Sequence, residues 1–277
     1  MRNQIKAEIY KLFHSKQYII AIVVMVAFAA LTVLLSSGDG GFYMGFIIDN
    51  IDNNPVQFGF MLNFEDKLNP AAWEVIYSAA VMNVLMWIIL VSMTVHTFLS
   101  EFKDATMKLM VSYGGSRLRI YFSKLFAVNV YYGIIYMIYS IVTVILCSNT
   151  RGVTVSGEMI MNSLKLGLLY FLIYIVISCV TALVCLLTRN SIMSTTIVVL
   201  YIISLIFVFL ITGGSSKNLL VNVYFYINPM YYLMRASAFW AKGEVIKEIL
   251  IYFCCAFSAL SAASCYRLKK MEISFGA

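Results

Sequence analysis

A chain of 277 residues that is 62% hydrophobic and only 12% charged, with a mean hydropathy of +0.88, has too little polar surface for a soluble domain, in which about a quarter of residues are charged. The formal net charge of +7 does not point to nucleic acid, because no basic stripe interleaved with stacking aromatics stands on a soluble module. The solvent is therefore a lipid bilayer, and the elements to seek are apolar runs of about 20 residues, enough to cross a hydrocarbon core of roughly 30 Å as helix.

Residues 1–17, MRNQIKAEIYKLFHSKQ, place Ile5, Ile9, Leu12 and Phe13 at helical spacing, with Lys6 and Lys11 elsewhere on the surface. That pattern predicts an amphipathic helix lying in the membrane interface. The first apolar run, 18–35, continues past Ala29, so it reads as a retained span and not as a cleaved leader. The segment 36–72 is polar, acidic and rich in Gly and Asn, and its apolar pieces FYMGFII and VQFGFML predict short structured elements. Further apolar runs follow at 73–99, 125–147, 161–187, 192–211 and 245–265. None alternates with the period of two that a barrel strand requires, so the fold class is an all-α integral membrane protein with six transmembrane helices. Between the last two runs, 212–244 contains FYINPMYYLMRASAFWAKGE; its aromatics, broken by Asn228 and Pro229, predict a helix or re-entrant piece at the outer leaflet.

Orientation follows from the basic residues. With the N-terminus inside, thirteen of the 20 Lys and Arg fall on the cytoplasmic side, which places both termini in the cytoplasm and makes 36–72 and 212–244 extracellular. Most of the acidic residues then fall outside, leaving a positive inner face suited to anionic lipid.

No residue set announces catalysis. The chain lacks G-x-x-x-x-G-K-[ST], the phosphate cradle of an ATPase, and its two histidines, His14 and His96, stand without metal-ligand spacing. The six cysteines lie in or at the ends of apolar runs and read as small packing residues. Glu74, Glu158, Glu244 and Glu248 sit near outer ends, so no deep carboxylate supports proton-driven pumping. Inverted repeats that would mark a secondary transporter are absent as well.

Against this background the island EFKDATMKLMVSYGGSRLRIYFSK, residues 101–124, holds seven of the 33 charged residues. Phe102, Ala105 or Thr106, Leu109 and Met110 recur at helical spacing against Glu101, Lys103, Asp104 and Lys108, and Gly114–Gly115 permits a turn. Glu at the end of the second span, then Thr106-x-Lys108-Leu109, a turn, Ser116-Arg117 and a Lys opening the third span is similar to the cytoplasmic coupling loop of permease subunits of type-2 ABC exporters. KAEIYKLFHSK resembles that family's interfacial elbow helix, and INPMYYL its extracellular Asn-Pro segment; six spans with both ends inside match its topology. Ala105 stands where many members have Gly, and Gly114–Gly115 where many have a Pro in the turn.

The resemblance implies a multi-pass permease of a bacterial cytoplasmic membrane, with no catalytic residue and no cofactor of its own. Its partners would be two copies of a separate ATPase, which binds ATP and Mg, and a second permease chain, expected to be identical. Glu101, Lys103, Asp104, Thr106, Lys108, Gly114, Gly115 and Arg117 would form the coupling contact with the ATPase, together with the elbow residues Ile5, Ile9, Leu12 and Phe13. The size of the chain and its Tyr-rich spans look most like exporters of amphipathic or antimicrobial peptides, including lantibiotic immunity and phenol-soluble modulin permeases. Tyr132, Tyr136 and Tyr139 share one helical face and Tyr170 and Tyr174 another, and with Asn83 and Asn129 they are the candidate lining of a substrate cavity. Helix packing by these same residues is the alternative. Efflux of small drugs or lipid-linked glycans is the competing transport function, and a non-transporting membrane anchor the competing class.

Overall fold

The computed structural model describes residues 2–37, 42–51, 54–62, 72–103, 116–212, 219–236 and 244–270. Six helices among them are long and apolar enough to cross a membrane. An interfacial-type helix α1 (Arg2–His14) turns at Ser15 into the first span, α2 (Lys16–Ser37). After the second span come α5 (Arg117–Thr150), α6 (Gly157–Thr188), α7 (Ser191–Thr212), the short pair α8 (Leu219–Ile227) and α9 (Pro229–Arg235), and the last span, α10 (Glu244–Lys270).

One expected piece takes a definite form and one expected helix is broken. The segment between the first and second spans folds into an antiparallel hairpin, β1 (Phe42–Ile51) with β2 (Asn54–Leu62), whose register pairs Phe46 with Phe58 and Gly45 with Gly59. Its two strands contain the two apolar pieces noted in the sequence, so the membrane-crossing part alone is all helical. The second span is in turn not one helix. It runs as α3 (Ala72–Ala79), a 3-10 segment Val81–Leu85, and α4 (Trp87–Lys103).

Local chemistry sets the helix ends. Ser116 caps α5 and Ser156 caps α6, each side chain accepting from the backbone N–H three residues on, at 3.3 and 3.2 Å. Helix α6 ends where Arg189 takes the left-handed conformation, φ 52°, its N–H returning to the Cys185 carbonyl. Helix α5 begins about two turns before the apolar run that marks it, so Arg117–Lys124 is helix and not loop.

Helix α6 is the hub, packed against α4, α5, α7 and α10. It meets α5 closely at Gly133, where an added Cβ would lie 2.7 Å from the Phe171 ring. The first, fifth and last spans instead expose most of their apolar residues, including Ile20 and Val23 on α2 and Leu200 and Phe207 on α7. Such an exterior suits hydrocarbon and would be untenable in water.

Candidate functional site

One end of the bundle gathers α1, the start of α2, the end of α4, the start of α5 and the last turn of α10. A buried ion pair fastens it. Lys124 Nζ lies 3.6 Å from Glu8 Oε2 and donates to the Thr97 carbonyl at 3.1 Å, with Lys124 3% and Glu8 5% exposed. A buried ammonium is tolerated only when paired and hydrogen-bonded, and both conditions are met here. Thr97 is itself held: its hydroxyl bonds the Tyr18 hydroxyl at the head of α2 and donates to the Met93 carbonyl at 2.8 Å. Aromatic edges complete the clamp, with Phe13 and Tyr18 both set T-shaped on Tyr131 at 5.0 and 5.3 Å. Arg117 Nη1 reaches across to the Leu268 carbonyl at 3.1 Å, binding the start of α5 to the end of α10.

Of the elbow residues, Leu12 is buried, Ile5 and Ile9 are half-buried, and Phe13 is exposed over most of its surface while touching Tyr131. Asp104, Thr106, Lys108, Gly114 and Gly115 lie outside the described residues. Glu101 and Lys103 form the last turn of α4, the helix that Lys124 grips at Thr97. The sequence places Lys124 among the inner-side charges and at the opening of the third span, but gives it no buried partner. The signal available was its place in the apolar-periodic stretch leading into the third span.

The tyrosines form one cluster in the interior of the chain. Tyr132, Tyr136 and Tyr174 are fully buried, and Tyr139 and Tyr170 nearly so. Tyr174 stands edge-on to Tyr132 and Tyr136 at 5.5 and 5.1 Å, and Tyr139 shares a hydroxyl contact with Thr32 at 3.5 Å. Asn129 bridges helices: its Nδ2 donates to Ser178 Oγ on α6 at 2.9 Å and to the Leu125 carbonyl on its own helix. The backbone carbonyl of Asn83 accepts from the Tyr174 hydroxyl. The rings are enclosed by α5, α6, the second span and α2.

Among the described residues, a notch of about 540 Å³ opens between α2, α4 and α7. Its walls carry Gln17, Ser92, His96, Ser100, Ser191 and Thr195, with Val95 and Leu99 behind them. Ser92, His96 and Ser100 follow one another at four-residue spacing and so lie along one side of α4. That polar stripe in an apolar span is legible in the sequence, yet only the fold puts α7 and α2 beside it. Among the described residues no cluster of His, Cys, Asp or Glu is placed to hold a metal ion.

Similarity to known proteins agrees with this arrangement. The family model for ABC-2 family transporter protein matches residues 4–205, from the elbow helix through most of the fifth span and about three quarters of the chain. No curated protein matches it. Permeases of this family are not catalytic, and they pair with separate ABC ATPase subunits that hydrolyse the ATP. The chain, a multi-pass membrane protein with no phosphate cradle of its own, belongs to the ABC-2 transporter family as a permease.

Proposed function

We propose that this permease exports amphipathic or antimicrobial peptides from a bacterial cell or its membrane by alternating access, driven by two copies of an ATPase and working with a second, identical permease chain. The observation that carries the reading is the notch. Ser92 is exposed and His96 and Ser100 are half-exposed on a span that is otherwise mostly buried within the bundle, so this polar stripe opens onto the notch. On the two flanking helices, Ile19, Ile20 and Val23 of α2 and Ile192 and Met193 of α7 are exposed and apolar. A ligand with one polar and one apolar side satisfies both surfaces at once, and an amphipathic helix is such a ligand. In this reading both termini are cytoplasmic, so the notch opens toward the inner leaflet.

Power enters at the same end. The elbow and the charged segment that follows Glu101 are the proposed docking surface for the ATPase, and the Glu8–Lys124 clamp ties the elbow to the bundle. Glu101→Ala with Lys108→Ala is expected to leave insertion and ATP hydrolysis in place while transport falls about tenfold or more. Full transport by a stably assembled variant removes these residues from the coupling contact.

Cargo is tested separately. In nanodiscs holding the permease and its co-purifying ATPase, amphipathic helical peptides are expected to stimulate ATP hydrolysis saturably, and Ser92→Leu with His96→Leu to abolish the stimulation at unchanged basal rate. Stimulation by small drugs or lipid-linked sugars, with peptides inert, transfers the assignment to those cargoes.

A further inference from the structure

The break in the second span has no cause in its own sequence. Residues 72–103 contain neither Gly nor Pro, and an apolar run of this composition favours continuous helix. What departs from helix is the hydrogen bonding. Met86 N–H returns to the Asn83 carbonyl in a three-residue step at 3.2 Å, and Leu90 N–H reaches the Met86 carbonyl only at 3.4 Å. Both carbonyls take a second donor from outside. Tyr132 OH on α5 donates to the Met86 carbonyl at 3.0 Å, and Tyr174 OH on α6 donates to the Asn83 carbonyl. Two phenols from two helices thus insert at the one place where the ladder is weak.

The depth of this joint matters. At 1.5 Å per residue, Tyr132 lies about 22 Å from the start of α5 and Tyr174 about 21 Å from the end of α6, near the middle of both. Backbone that leaves the helical ladder at membrane depth persists only where protein encloses it, and the rings of Tyr132, Tyr136 and Tyr174 do so. Around the joint, Asn83 Oδ1 and Trp87 Nε1 are buried with no hydrogen-bond partner among the described residues. Buried polar groups are nearly always paired, so two that lack a protein partner make the joint a place where rearrangement sacrifices little hydrogen bonding.

We infer that the second span is a two-piece lever jointed at Val81–Leu85, and that Tyr132 and Tyr174 are positioning residues that latch the joint by donating to the Met86 and Asn83 carbonyls. The lower piece, α4, is the one gripped by Lys124 at Thr97, so displacement of the terminal end moves α4 while α3 stays with the hairpin and the opposite end of the bundle. The latch is a property of the fold; the motion it serves rests on the ATP-driven reading above.

Hydrogen–deuterium exchange read by mass spectrometry on the assembled permease and ATPase in nanodiscs tests both parts. Amides of 81–90 are expected to exchange faster than those of 91–99, and Tyr132→Phe with Tyr174→Phe to speed 83–90 by a further three- to tenfold or about that. Tyr136→Phe, which removes a hydroxyl of the same cluster that donates to neither carbonyl, is expected to change exchange in 83–90 far less. Equal exchange in 81–90 and 91–99, or equal effects of the Tyr136 and the double variant, overturns the latch. If the double variant does not assemble, Tyr132→Phe alone is compared with Tyr136→Phe on the same terms. Nucleotide that alters exchange in α1 and 97–103 but not in 81–90 overturns the lever and leaves the ATP-driven reading standing. Nucleotide without effect anywhere in the chain overturns that reading and the lever's motion together, while the phenol variants still decide the latch.

Discussion

Lys124→Met is expected to destabilise the folded chain by about 3–5 kcal/mol, the usual cost of removing one member of a buried ion pair. The loss comes less from the missing attraction than from what stays behind. Glu8, 5% exposed, would keep as its ion-pair partner among the described residues only Lys11, which is 3.8 Å away and itself well exposed. An exposed ammonium at that distance contributes at most about 1 kcal/mol. The carboxylate must then reach water, which moves α1 off α5. Thr97 loses its Lys124 donor in the same step, so the seat of α4 loosens too.

A second substitution separates the two things this clamp does. Glu8→Gln in the Lys124→Met background removes the stranded charge, and unfolding in detergent should recover half or more of the lost stability. Transport should not recover, because a neutral amide beside a thioether restores packing but not a directional grip on Thr97. Recovery of both would make the pair a matter of folding alone. Failure to recover stability would mean that Lys124 acts mainly through Thr97 and not through Glu8.

The same residue shows where the sequence is readable and where it is not. Six spans follow from run length and composition, since the bilayer sets a length that chemistry must match. The elbow helix follows from four apolar positions at helical spacing. Lys124 is different. Its charge places it with the other basic residues of the terminal end, but burial depends on Glu8, which is 116 residues earlier and meets it only when α1 folds back along α5. The tyrosines repeat the lesson. Their spacing shows that Tyr132, Tyr136 and Tyr139 share a face, yet whether that face looks into a cavity or into another helix is decided by α6. The joint at Val81–Leu85 left no trace in its own residues, because the groups that hold it belong to α5 and α6. Asn228–Pro229, by contrast, announces its break: Asn accepts from the N–H two residues on, and Pro at the first helical position gives up a donor that would have gone unused.

That second break supports the other large effect. Asn228 is fully buried; its Nδ2 donates to the Tyr201 carbonyl at 2.7 Å and to Tyr224 OH at 3.2 Å, and its Oδ1 accepts from Met230 N–H at 2.9 Å. One side chain therefore caps α9 and pins the α8–α9 corner to α7. Tyr201 and Tyr252 both send their hydroxyls to the neighbouring Ile227 carbonyl, at 3.2 Å each, so the corner is held from two sides. Asn228→Ala is expected to cost about 2–3 kcal/mol, combining a lost cap with a stranded Met230 N–H. Exchange in 219–235 should quicken accordingly while 157–188 stays protected.

Asn228→Asp gives the sharper test, since it keeps the acceptor for Met230 and exchanges the donor for a second oxygen facing the Tyr201 carbonyl. Burial raises the introduced carboxyl's pKa above its unfolded value of about 3.9, because the charged form is desolvated and meets a carbonyl head-on. A group whose folded pKa is raised lends stability below its unfolded pKa and loses it as pH climbs through the folded one. The protonated acid can donate to the Tyr201 carbonyl much as the amide does. The variant should therefore approach the native Tm at pH 4 and fall furthest behind it at pH 8, with Asn228→Ala lagging by a similar margin at both. A pH-independent deficit in the Asp variant would mean that the Tyr201 carbonyl is not what position 228 must satisfy, and that the corner is held by its tyrosine contacts instead.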